Sequence, residues 1–246
     1  MQIPTATLDE IRDGIRAVLD QLTPAADAGE AAGGDLALLT RAFEQLLDVM
    51  ERIESDSQAA GDGRTMRSTG SGDITEVGEY ALKLHENLAA LASEPAAREY
   101  SAGLAANLAL WIARHDGQID TLEPVVDGLA LLANRLTEPR ELEALCAAMG
   151  EICNAVSPVI REDLERINPV RPWRVLLLNR AIVATRSHNT AIMEEAFAVL
   201  THHLPEDTAR FFTEGMQQME ALDYPDPVRR VMEKYHRQWT LNRSLH

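Results

Sequence analysis

The feature that most constrains the fold of this chain is an apolar stripe at helical spacing, which recurs from Thr7 to Trp239. Each stripe stops at a Gly, Pro or Asn, and a new stripe begins beyond it. No segment alternates apolar and polar residues for long enough to predict a β-strand. The sequence therefore predicts an all-α protein of about ten helices.

The predicted helices follow one another as hairpins. In the first three predicted helices, apolar residues recur in steps of three and four. This spacing favours near-parallel packing of the helices at crossing angles of roughly 20°. The size of the hairpins resembles that of HEAT, armadillo and tetratricopeptide repeats, although the tetratricopeptide consensus cannot be laid over Thr208 to Trp239 in register. We expect either an irregular α-solenoid of stacked hairpins or a multi-helix bundle.

One stretch has the composition of a linker. Residues 56–72 are rich in Ser, Gly, Asp and Thr and contain scarcely an apolar side chain besides Met66. Such a stretch cannot bury enough apolar surface to order itself. It predicts a flexible linker between an N-terminal helical hairpin, residues 1–55, and a helical-repeat body, residues 73–246.

Several residues predict where helices begin and end. Thr7 and Glu10 have the spacing of a capping box, and Asp35 is expected to cap the second helix. Ser157-Pro158 should break the sixth predicted helix, because proline removes a backbone donor. A short helix over Val159–Ile167 is expected to follow the break.

The net charge of −16 is carried by one part of the chain. Residues 1–157 hold 11 Lys and Arg against 27 Asp and Glu, whereas residues 158–246 hold 12 of each. An acidic surface disfavours binding to nucleic acid and to anionic membranes. The N-terminus has no signal-peptide pattern, and no apolar stretch approaches the roughly 20 residues of a membrane span, so we expect a cytoplasmic protein.

Two cysteines lie seven residues apart in one predicted helix, Cys146 and Cys153. This spacing separates them by about 10 Å along the helix axis, too far for a disulfide. They are expected to be buried as small hydrophobic residues. The alternative is a redox or metal-binding pair.

The sharpest local feature is a run of arginines inside the predicted helix Pro172–Arg186 and just before it. From Arg166 to Met193 the chain has no Asp or Glu, and Trp173 lies within the run. Arginine and indole groups could hold an acidic segment of a partner protein. The alternative is that each arginine pairs with acids on neighbouring helices and ties the two halves of the chain together. The candidate partner-binding residues are Arg171, Trp173, Arg174, Arg180 and Arg186.

The histidines do not form a recognisable metal or catalytic motif. His202-His203 is followed by Glu206 and Asp207, but adjacent helical residues point about 100° apart. His115-Asp116 precedes Gly117, which is typical of a helix C-terminus. His85 has no motif partner nearby. The sequence therefore predicts no catalytic residue, no bound metal and no cofactor.

Two further patterns concern packing. Small residues, among them Ala102 and Gly150, are expected to let helices approach closely. The C-terminal run of large side chains from Phe211 to Trp239 is expected to form core, the alternative being an exposed groove for a peptide helix.

These observations favour a non-enzymatic, cytoplasmic helical protein that binds a protein partner as an adaptor, assembly factor or scaffold. An enzyme or a cofactor- or metal-binding protein, with a pocket between helices near the histidines, is the alternative. A structural homodimer is the third hypothesis. The sequence resembles no family closely enough to transfer functional residues.

Overall fold

The prediction of an all-α fold with about ten helices is confirmed. The computed structural model describes residues 3–26, 30–59, 71–92, 94–164 and 166–241. Within these ranges it has eleven helices and no strand, only a single bridge between Ile119 and Val156. The helices are α1 (Leu8–Ala26), α2 (Glu30–Ala59), α3 (Ser71–Leu91), α4 (Pro95–Arg114), α5 (Glu123–Arg135), α6 (Pro139–Ala155), α7 (Pro158–Arg161), α8 (Pro172–Arg186), α9 (Thr190–His203), α10 (Pro205–Ala221) and α11 (Asp226–Leu241).

The chain divides into two compact units. Unit 1 comprises Met1–Leu132 and Glu151–Leu164, and unit 2 comprises Ala133–Gly150 and Glu165–His246. Residues 60–70, which make up most of the predicted linker, lie outside the described residues. The predicted division into hairpin, linker and repeat body stays a prediction, and so does the solenoid arrangement.

In unit 1, helices α1–α4 form a four-helix bundle. Helix α1 packs against α2 and α4, and α3 packs against the same two helices. Phe43, Leu88 and Trp111 are almost fully buried in this unit. Trp111 also donates its indole N–H to Glu54 Oε1 at 3.1 Å, which joins α4 to α2. The bundle thus buries a large aromatic ring and still satisfies its polar group.

Two helix boundaries in unit 1 differ from the sequence prediction, and one capping contact has a different partner. Thr7 Oγ1 accepts from the amide of Glu10 as predicted, but the carboxylate of Glu10 reaches back to the amide of Thr5. Asp35 does not cap α2, which begins five residues earlier at Glu30. A short helix follows Ser157 as predicted, but its predicted length, Val159–Ile167, is wrong: α7 ends at Arg161, and turns follow it.

In unit 2, α8 packs against α9, and helices α9–α11 pack against one another. The ring of Phe197 lies between these helices, 5.1 Å from the rings of both Phe212 and Tyr235. Edge-to-face contacts of this kind add to the stabilisation from burial. Phe212, Met219 and Met232 are buried, so much of the C-terminal aromatic and methionine run belongs to the core of this unit.

Helix α8 has the bounds that the sequence predicted, Pro172–Arg186. Most of its apolar residues are buried within unit 2, although Ile182 is 45% exposed. Across the parts of the chain that the structure describes, no helix, α8 included, has the length and apolar character to cross a membrane.

Neither cysteine forms a disulfide, and both are buried, as predicted for small hydrophobic residues. Cys146 lies on the part of α6 that belongs to unit 2, and Cys153 lies on the part that belongs to unit 1. Burial raises the pKa of Cys146 to about 11, against a weaker opposing effect of Arg180. The thiol therefore stays protonated at neutral pH and is a poor nucleophile.

Candidate functional site

The candidate arginines are engaged with other groups of unit 2. Arg171 precedes α8 and is buried. Its Nη1 donates to the carbonyls of Arg166 and Asn168, at 3.2 and 3.1 Å. Its Nη2 lies 3.5 Å from Glu206 Oε1 at the start of α10. Arg171 thus stabilises the turn before α8 through the two carbonyls, while Glu206 compensates the charge of its guanidinium.

Arg174 forms a bidentate ion pair with Asp207 of α10. Its Nε and Nη2 donate to the two carboxylate oxygens of Asp207, at 2.8 and 2.6 Å. Its Nη1 donates to the carbonyl of Pro169 at 2.7 Å. The side chains of Arg174 and Asp207 are only 18% and 15% exposed. A bidentate pair of this kind joins α8 firmly to the first turn of α10.

Arg180 lies inside unit 2, only 5% exposed. Its Nη2 donates to Glu195 on α9 at 2.5 Å, and its Nε donates to the carbonyl of Cys146 at 3.4 Å. The guanidinium lies against Gly150, where an added Cβ would be 2.8 Å from Nη2. The small residue at position 150 therefore makes room for an arginine.

Arg186 is the last residue of α8, and its side chain contacts the C-terminal end of α5. Its Nη1 and Nη2 each donate at 2.6 Å, to the carbonyls of Ala133 and Leu136. Ala133 is in the last turn of α5, where carbonyl groups lack partners within the helix. Arg186 therefore caps that helix end.

Trp173 is 2% exposed and has its ring edge-on to His203, with 5.3 Å between centroids. Its indole N–H has no hydrogen-bond partner among the described residues. Buried in this way, the indole is not available for stacking on a partner from solution. The structure thus distributes the five candidate residues over different packing contacts instead of one open site. Binding of an acidic partner at these residues stays a prediction.

Sequence reasoning missed two exposed apolar residues beside these arginines. The pre-α8 segment, Arg166–Arg171, exposes Ile167 by 99% and Val170 by 73%. The segment is ordered by Asn168, whose Oδ1 accepts from the amide of Val170 at 3.0 Å. The signal in the sequence is an apolar residue on each side of Asn168-Pro169, where the helical period is interrupted.

The histidines lie in separate environments. His85 is buried beside Ser101, whereas His115 stacks on Trp111 with 4.2 Å between ring centroids. The rings of His202 and His203 contact each other edge-on, with 4.8 Å between their centroids. Within the described ranges no three His, Cys, Asp or Glu residues are grouped so that they could hold a metal ion.

The surface cavities among the described residues include three that have no histidine in their lining. One, of about 480 Å³, lies between α9 and α11 in unit 2. The other two, of about 430 and 410 Å³, lie between α2 and α3 in unit 1. All three are open and shallow, unlike the enclosed pockets that hold small substrates.

No protein-family model, curated protein or solved structure matches this chain. The chain itself presents two exposed apolar features, the pre-α8 segment and the concavities between α2 and α3.

The buried His85 has a consequence for stability. Its Nε2 lies 2.8 Å from the carbonyl of Ser101 and 2.9 Å from its hydroxyl, and we assign the Nε2–H tautomer, which donates to the carbonyl. Its Nδ1 has no partner among the described residues. Burial lowers the pKa of His85, although the bond to Ser101 and the charge of Glu86 act in the opposite direction.

We expect the free energy of unfolding to fall as the pH drops below about 6.5, the pKa of an unfolded histidine. Because the folded-state pKa of His85 is lower, the unfolded chain binds a proton more readily, so the contribution of the neutral ring is complete above that pH. It is lost progressively as the pH falls towards the folded-state pKa. Urea unfolding of the parent and of His85→Gln from pH 7.5 to 5 measures the effect. If the free energy of unfolding depends on pH in the same way in both proteins, the predicted contribution of His85 is wrong.

Proposed function

We propose that this chain is a non-enzymatic, cytoplasmic helical protein that binds a protein partner, as an adaptor, assembly factor or scaffold. The observation that carries the proposal is the pre-α8 segment, which presents Ile167 and Val170 to solvent. Soluble proteins usually expose apolar side chains singly. Two highly exposed ones on one short turn therefore support a docking role for this segment.

The hydrogen bonds that hold the segment support the same function. Arg171 donates to two of its carbonyls, and Arg174 donates to the carbonyl of Pro169. Both arginines are in turn held by Glu206 and Asp207 of α10. A turn that is already ordered loses little conformational entropy when a partner binds, and this increases affinity. In this proposal the arginines position the docking residues and need not contact the partner.

The alternative functions have less support. His85 is buried, and the three cavities described above have no histidine in their lining, so these observations do not support an enzymatic or cofactor-binding pocket near the histidines. A homodimer that uses the pre-α8 segment is a special case of the proposal, in which the partner is a second copy of the chain.

The test replaces both docking residues, Ile167→Asp and Val170→Asp, in the full chain. Because the two side chains are exposed in the folded protein, the thermal midpoint should stay within about 1 °C of the parent. Affinity for the partner should fall at least about tenfold, since the centre of the contact would carry two unpaired charges. Quantitative affinity capture with mass spectrometry, followed by titration of the captured protein, measures both quantities.

The matched control is Leu222→Asp, which changes another exposed apolar residue of unit 2, 53% exposed at the end of α10. It should leave partner binding unchanged. The proposal is wrong if the double variant binds every partner of the parent with the same affinity. If the captured partner is the chain itself, sedimentation should show a dimer that the double variant converts to a monomer.

A further inference from the structure

Concave surface lies between α2 and α3 of unit 1, and we call it the α2–α3 groove. Two concavities lie in this groove, of about 410 and 430 Å³. The first is near the start of α2 and the end of α3, and the second is near the middle of α2 and the first half of α3. The α2–α3 groove is lined by Asp35, Leu38, Leu39, Ala42, Gln45, Leu46, Val49, Glu76, Val77, Tyr80, Asn87, Ala90 and Leu91.

The floor of the groove is apolar and exposed. Leu38 is 65% exposed and Tyr80 is 48% exposed. On α2 the lining residues recur every three or four positions, which places them along one face of the helix. From Asp35 to Val49 this face extends for about 21 Å, close to four helical turns. Its length and apolar character match those of grooves that accept an amphipathic helix.

The charge around the groove indicates which kind of partner helix would bind there. Helices α2 and α3 carry eleven acidic side chains against three basic ones, a net charge of −8. Two of the acids line the groove itself, Asp35 in one concavity and Glu76 in the other. Among the cations, Lys83 pairs with Glu86 at 3.2 Å, so its charge is compensated locally. A basic segment is therefore attracted and an acidic one repelled.

We propose that the α2–α3 groove binds a basic amphipathic helix of a partner protein. This inference rests on the proposed function and names a second contact and the chemistry of its partner. The helix has about 14 residues, an apolar stripe at positions i, i+3, i+7 and i+11 that contacts Leu38 and Tyr80, and a Lys or Arg near each end. These two cations lie opposite Asp35 and Glu76. A second copy of this chain fits less well, because its net charge is −16.

The experiment uses two labelled synthetic peptides of 18 residues as probes. Both have the same leucine stripe, and their polar faces carry lysine in one and glutamate in the other. The full chain should bind the lysine peptide, with an affinity that falls as the salt concentration rises. It should bind the glutamate peptide at least about tenfold more weakly. Fluorescence anisotropy measures both affinities.

Charge reversal in the groove tests the location of the site. Asp35→Lys with Glu76→Lys should weaken the lysine peptide about tenfold or more and strengthen the glutamate peptide. The control, Glu44→Lys with Asp127→Lys, makes the same change in net charge at exposed acids that do not line the groove. An equal loss in both double variants would show general attraction to an acidic surface and would overturn the proposal.

Truncation of the apolar floor tests the contact itself. Leu38→Ala with Tyr80→Ala should weaken the lysine peptide about tenfold, whereas Tyr100→Ala, which removes a similarly exposed tyrosine of α4, should not. Equal binding of both peptides would overturn the proposal. So would a parent dimer that Leu38→Ala dissociates, because the occupant would then be a second copy.

The binding role of the α2–α3 groove and the docking role of the pre-α8 segment can be tested independently. The variant with Ile167→Asp and Val170→Asp should bind the lysine peptide as the parent does, because the peptide reports on α2 and α3 alone. If no peptide binds while the partner is still captured through the pre-α8 segment, the groove proposal is wrong and the proposed function stands. If the peptide binds the groove as described but those two changes leave partner capture intact, the docking role of the pre-α8 segment is wrong.

Discussion

Replacing Arg174 by alanine is expected to lower the free energy of unfolding by about 2 to 3 kcal/mol. The change leaves Asp207 without its two donors although its side chain is only 15% exposed. Breaking a fully buried pair costs about 3 to 5 kcal/mol. We expect less here, because both groups keep some contact with water and the N-terminus of α10 partly stabilises the carboxylate. Urea unfolding followed by circular dichroism measures the loss.

Two comparisons separate this effect from a general loss of charge. Asp207→Asn alone should also destabilise, and the double variant should lose less than the sum of the two single changes, since the paired groups are coupled. Arg210→Ala removes an ion pair with Glu214 on the same α10, where both side chains are exposed. This control should leave the unfolding curve unchanged.

The same variant distinguishes the two interpretations of the arginine run. If Arg174 is structural, the unfolding midpoint falls, and partner binding falls only as far as the pre-α8 segment is loosened. If Arg174 contacts an acidic partner directly, binding is lost while the midpoint stays that of the parent. The bidentate contact with Asp207 makes the first result the expected one.

The helical period of the apolar residues was enough to predict the fold class, and local punctuation was enough to predict several helix ends. Helix α8 begins after Arg171 because Pro172 suits the first helical position. Helix α6 ends at Ala155, just before the predicted break at Ser157-Pro158. Signals of this kind act over a few residues, so they can be recognised without knowledge of the tertiary contacts.

The candidate site could not be predicted to the same extent, because it depends on contacts distant in the sequence. The arginine run stands out by composition, but Glu195, Glu206 and Asp207, which compensate it, lie beyond its end. Burial of Arg180 and exposure of Ile167 are opposite to what side-chain polarity alone predicts. Both are decided by which helix packs over each position, and periodicity does not contain that information.

Close packing at glycines inside helices also depends on contacts that are distant in the sequence. Gly128 of α5 lies against α4, where an added Cβ would be 2.4 Å from the carbonyl oxygen of Ala102. Backbone atoms cannot rotate away as a side chain can, so Gly128→Ala must push α4 and α5 apart. We expect a loss of about 3 kcal/mol, at the upper end of overpacking effects. In a chain of this length that lowers the thermal midpoint by about 6 to 12 °C.

Gly34 of α2 is the matched control, since no atom lies within 4 Å of the position that its Cβ would take. The same substitution there should raise the free energy of unfolding by about 0.5 to 1 kcal/mol, because alanine loses less backbone entropy than glycine in a helix. Thermal unfolding of the two variants should therefore shift in opposite directions. If both proteins become more stable, α4 and α5 do not meet at Gly128, and the close approach of these helices in unit 1 is wrong.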